Sequence, residues 1–144
     1  MSKKQIEIAY KFFQKDDNIE FGILFGSYAQ KRTTNLSDID LGIFSNKYLN
    51  IFEIGNYVIN LEQIFKRKVD LVILNDLYKK KPQLCFEIVA NGKLIFYKNK
   101  DRYYEFKKNT FLYFFDTYNL RTQINQSFRN RLNSGKFGER NYVG

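Results

Sequence analysis

The stretch from Phe21 to Phe44 constrains this chain more than any other. Two apolar runs flank a small-residue turn, a polar loop and a pair of carboxylates. Phe21, Ile23 and Phe25 read as a short buried strand ending at Gly26-Ser27, and Ile39, Leu41 and Ile43 read as a second. Strand side chains alternate with period two, so Asp38 and Asp40 share the face opposite those isoleucines. Two carboxylates roughly 7 Å apart on a half-buried face repel each other and lose hydration. Such a pair calls for a cation. Hard oxygen ligands that leave room for phosphate oxygens suit Mg²⁺. The turn supplies a complementary half. Gly26 permits close backbone approach. Ser27 is placed to cap a short helix over Tyr28 to Lys31, and helix N-termini bind phosphate through their free N–H groups. Lys31 and Arg32 follow in the polar loop, either as solvated charges or as phosphate contacts.

Composition narrows the chemistry. The 144 residues suffice for one domain with a real core, and 44% hydrophobic and 18% aromatic content fits a folded chain. The absence of histidine removes Ser-His and Cys-His catalysis, His-ligated zinc and histidine acid–base ribonuclease chemistry. The one cysteine, Cys85, lies in an apolar run and reads as a small core residue. A net charge of +9 suits nucleic acid, triphosphates or an acidic partner. No membrane span or signal pattern is legible, which makes the expected location cytoplasmic.

Taken in order, residues 3–15 form an amphipathic helix with Ile6, Ala9, Tyr10 and Phe13 on one face. Residues 48–66 form another, with Leu49, Phe52, Ile59 and Ile64 among its buried positions and Gly55 as a soft spot. Val69 to Leu74 is a third strand. Its Asp70 shares a face with Val72 and Leu74, and is either a strand-entry residue capped by solvent or a third carboxylate beside the first two. Asn75 to Lys81 is a basic turn, and Pro82 starts a helix that ends at Asn91-Gly92. Lys93 to Tyr97 is a fourth strand. From Asp101 an aromatic helix runs through Tyr103, Phe106, Tyr113 and Phe114, with surface left over for a partner. One domain is expected, with a core over 1–98, a helical extension over 100–134 and a flexible tail over 135–144.

Gly26-Ser27, ten residues, then Asp38-x-Asp40 resembles the signature of the polymerase-beta-type nucleotidyltransferases. In size and in the string GSYA…SDIDL the chain is similar to the minimal nucleotidyltransferases, many of them MntA-like antitoxins paired with HEPN toxins. The resemblance implies an α/β (α+β) nucleotidyltransferase fold, a small mixed sheet flanked by helices, with the helices expected on one side. It makes Asp38, Asp40 and Asp70 metal-binding and catalytic, with two Mg²⁺ ions, and Gly26 and Ser27 nucleotide-binding. Where that family often reads Arg-Gly, this chain has Gln30-Lys31, and Lys31 or Arg32 stands in as the phosphate contact. The implied reaction moves AMP from ATP to a tyrosine hydroxyl of a HEPN ribonuclease toxin. This chain lacks the histidine of the toxin's own motif. Two rival readings are a small-molecule transferase of the aminoglycoside or lincosamide type, and an antitoxin that only masks its partner.

Overall fold

The computed structural model describes residues 3–26 and 38–133. Its elements are α1 (Lys3–Gln14), β1 (Ile19–Phe25), β2 (Ile39–Ser45), α2 (Ile51–Phe65), β3 (Val69–Ile73), α3 (Leu77–Lys80), α4 (Pro82–Asn91), β4 (Lys93–Tyr97) and α5 (Lys100–Asn133). The sheet is mixed, in the order β3-β2-β1-β4. β1 lies antiparallel to both β2 and β4, whereas β3 runs parallel to β2, as strands joined through a helix usually do.

Helices cover both faces of the sheet, not one side as the sequence suggested. Ala9 and Phe13 of α1 and Tyr57, Leu61 and Phe65 of α2 bury one face, against Ile39, Leu41, Ile43 and Phe96. Leu77 of α3, Cys85, Ile88 and Val89 of α4 and Phe106 of α5 bury the other, against Phe21, Ile23 and Leu74. The reason lies in β1 and β3. Each strand carries apolar side chains on both faces, and sheets loaded on both faces need a layer on each. In β3, Val69, Leu71 and Ile73 join the first cluster, while Val72 and the following Leu74 join the second.

α2 departs from expectation in phase. Phe52 is 85% exposed and Ile59 is 59% exposed, and neither is buried as the reading of 48–66 proposed. The helix carries apolar residues around most of its circumference, so hydrophobicity alone cannot choose the inner face. Tyr57, Leu61 and Phe65 fall at i, i+4 and i+8 and win the core. Leu49 is buried as expected but precedes the helix. The start is fixed by a capping box. The Glu53 N–H donates to Asn50 Oδ1 at 2.8 Å, and the Asn50 N–H donates to Glu53 Oε1 at 3.3 Å. Asn50→Ala removes one half of this exchange and is expected to cost about 1 kcal/mol. A urea unfolding curve with an unchanged midpoint would show the box to be idle.

Smaller differences have local causes. The stretch after Asn75 contains α3, a single turn that begins after Asp76 at φ 56. Gly92 does end α4, through a 2.8 Å bond from its N–H to Ile88 O, but its backbone is extended (φ −76, ψ 163) and not left-handed. The left-handed cap was found instead at Lys66, which closes α2 with φ 53 and donates to Glu62 O. On α5, Phe106 and Thr110 are buried whereas Leu112 and Phe115 are about half exposed. Residues 135–144, expected to be flexible, lie outside the described residues.

Candidate active site

Three elements meet at one end of the sheet. β1 ends at Phe25, directly across from Asp40, the second residue of β2. On the far side of β2, Asp40 is in register with Asp70 of β3. Parallel neighbours in register point their side chains to the same face, about 4.8 Å apart. The sheet therefore sets two carboxylates side by side from segments thirty residues apart. Asp40 is half-buried, while Asp38, just ahead of β2, and Asp70 are exposed. Asp70 accordingly does not sit on a closed apolar face, as its neighbours in sequence suggested.

Electrostatics concentrate on Asp40. Burial pushes its carboxyl above the ordinary aspartate value, and the charges of Asp70 and then Asp38 push it the same way. A group in this position gains from any cation that approaches. Among the described residues no three Cys, Asp or Glu side chains gather into a ready-made metal cage. The donor set nonetheless fits Mg²⁺. It offers hard oxygens only, and two of the three carboxylates are open to solvent, which leaves coordination positions for phosphate oxygens.

Gly26 belongs to the same corner. Its φ of +72 is in the left-handed region, and a Cβ built there would run into Asp40 Oδ2. The turn and the carboxylate thus occupy one space that only glycine leaves free. Gly26→Val adds backbone strain and displaces the Asp40 side chain. Transfer activity is expected to fall about a hundredfold, the scale of an ångström-sized misplacement. Activity within a factor of two of wild type would show that the close approach is unimportant. Ser27, Lys31 and Arg32 lie outside the described residues, as does the short helix expected over Tyr28 to Lys31.

A cleft of about 490 Å³ opens beside these groups, lined by Phe25, Gly26, Asp40, Leu84, Glu87, Ile88 and Asn91. The α4 contributors were not among the site residues expected from the sequence. Their signal was present: Leu84, Glu87, Ile88 and Asn91 fall at i, i+3, i+4 and i+7, a helix face that mixes polar with apolar residues. A roomier hollow of about 710 Å³ lies between α1 and α2, lined in part by Lys11, Lys15 and Lys66. It is on the other face of the sheet and holds none of the candidate residues. Cys85 is buried against Thr110, with Sγ 3.4 Å from its Oγ1, and burial raises its thiol, so it packs and does not attack. Among the described residues no helix is long and apolar enough to cross a membrane.

Comparison with known proteins places this corner in context. A family model described as Polymerase beta, Nucleotidyltransferase matches residues 7–101. No curated protein matches the chain. Among solved structures, the chain is similar to one in a crystal structure of a toxin–antitoxin with AMP-PNP, at 21% identity and TM-score 0.65, covering 91% of this chain and 98% of that one. It is also similar to a chain in a complex of tri-AMPylated Shewanella oneidensis HEPN toxin with MNT antitoxin, at 19% identity and TM-score 0.60, covering 90% and 95%. A third, in an MntA–HepT toxin–antitoxin, is 19% identical with TM-score 0.59, covering 90% and 96%. At these identities the likeness is one of fold.

Proposed function

We propose, from the premise that this chain belongs to the Polymerase beta nucleotidyltransferase family, that it transfers AMP from ATP to a tyrosine hydroxyl of a HEPN-type ribonuclease toxin and so acts as an antitoxin. The observation that carries the reading is the in-register pair Asp40 and Asp70 beside the Gly26 turn. The AMP-PNP and the AMP-bearing toxin in the similarly folded complexes support ATP as donor and a protein as acceptor.

The residues divide the work as follows. Asp38, Asp40 and Asp70 would hold Mg²⁺, which when bound neutralises the triphosphate and acidifies the acceptor hydroxyl. Asp40, half-buried between the other two, fixes the position from which the nucleotide is presented. Gly26 leaves backbone room for phosphate, and Ser27 with Lys31 or Arg32 would grip the β- and γ-phosphates. Asp70 is exposed and can accept the acceptor's proton as its oxygen attacks the α-phosphorus. The bond from that phosphorus to the bridging oxygen breaks, and diphosphate leaves.

The test is intact-mass measurement after incubating the protein with ATP, Mg²⁺ and a HEPN-type toxin. A toxin that gains whole AMP units and loses ribonuclease activity is the expected result. An unmodified toxin held inactive in a stable complex would replace this reading with masking. Modification of an aminoglycoside or lincosamide in its place would make the protein a small-molecule transferase.

A further inference from the structure

The cleft beside Asp40 holds two polar residues that the reaction proposed above leaves without a task. Glu87 and Asn91 lie one turn apart on α4, on the face that also carries Leu84 and Ile88, and all four line the cleft. The rest of the lining is Phe25, Gly26 and Asp40. Both polar side chains are exposed, and among the described residues neither has a hydrogen-bond or ion-pair partner.

We propose that this cleft receives the nucleoside of the donor, with Asn91 reading the edge of adenine and Glu87 accepting from the ribose hydroxyls. The inference rests on the nucleotidyltransferase reading and adds the residues that choose the nucleotide. Sidedness supports it. Asp40 has Asp70 of β3 on one side and the end of β1 on the other. Asp70 serves the acceptor, so the β1 side, where Phe25 and Gly26 lead into the cleft, is left to the donor.

Charge then decides which part of the donor enters. The lining carries two carboxylates, Asp40 and Glu87, and no lysine or arginine. Phosphates can approach Asp40 through a metal, but Glu87 repels them. The uncharged nucleoside carries no such penalty. Phe25, Leu84 and Ile88 offer apolar surface to a base, and a volume of about 490 Å³ falls within the usual range for small-ligand sites. The two roles follow from the functional groups. An amide sets a donor beside an acceptor and pairs with the N6 amino group and N7 of adenine, whereas guanine shows two acceptors on the same edge. An ionised carboxylate only accepts, which suits the neighbouring hydroxyls of a ribose.

Calorimetric titration of the full chain with MgATP, MgGTP and the Mg²⁺ complex of 2′-deoxy-ATP, without any toxin, tests this. The wild type should prefer ATP to each of the other two by about tenfold, the worth of one hydrogen bond. Asn91→Ala should lose the preference over GTP and keep that over 2′-deoxy-ATP, and Glu87→Ala should do the reverse. Both residues are exposed, so both variants should melt with the wild type. A wild type that binds the three nucleotides alike, or variants that keep both preferences, would overturn this inference alone. A wild type that binds no nucleotide would overturn it together with the reading it rests on.

Discussion

Asp40→Asn is expected to abolish transfer and to leave a protein that is slightly harder to unfold at neutral pH. Loss of a carboxylate that positions the nucleotide should cost on the order of a thousandfold or more in rate. The gain in stability follows from linkage. Burial and two like charges raise the folded-state carboxyl above its ordinary value, so the folded state holds its proton more tightly than the unfolded chain does. Below the unfolded value both states are protonated and nothing is lost. As pH rises from there through the raised folded value, ionisation destabilises the fold, and the full penalty is present above that value. The amide carries no such penalty. The difference in melting temperature between variant and wild type should therefore be positive at pH 7 and shrink toward pH 3. A variant that melts earlier at pH 7 would mean that Asp40 is held by a favourable partner instead. One that still transfers AMP at wild-type rate would remove Asp40 from the site altogether.

Gly92→Val is expected to be the most damaging single change to the fold. The extended backbone at this position would accept any residue, so dihedral strain plays no part. Space decides it. A Cβ would collide with Ile88 O, lie 2.5 Å from Ile23 Cγ2 and 3.2 Å from Leu24 O. Two of these neighbours are backbone, in the last turn of α4 and in the central strand β1, and neither can swing aside. Overpacking of this kind costs about 3 kcal/mol or more, a large share of a typical domain's 5–15 kcal/mol. The variant should unfold at markedly lower urea or stay insoluble. Near-wild-type stability of Gly92→Ala, which brings the same Cβ, would show that α4 slides away from the sheet freely.

The parts of this structure that the sequence disclosed are those where chemistry and periodicity agreed. Ile39, Leu41 and Ile43 alternate with Asp40, and the strand could face only one way. Pro82 opens α4 because it punctuates backbone by itself, and Gly92 marks the end as expected, though for reasons of space and not of conformation. What stayed hidden depended on distant segments. Phe52 and Ile59 look like core, and only the competing claim of Tyr57, Leu61 and Phe65 on the same sheet turns them outward. The second helical layer was missed because Phe21 and Ile23 were assigned a strand but no separate cover. Asp70 could be named from its place in an apolar run. Its station directly beside Asp40 could not, since parallel register is a property of two strands and a crossover together.

That register divides tolerance to length change unevenly along the chain. Asp40 meets Asp70 because β2 and β3 keep step from Ile39 opposite Val69 onward, across the whole of α2. One residue inserted within β3, between Val69 and Asp70, would turn Asp70 to the α1–α2 face and take it from its station beside Asp40. Lineages of this protein should therefore keep Ile39–Asp40 and Val69–Asp70 free of insertions.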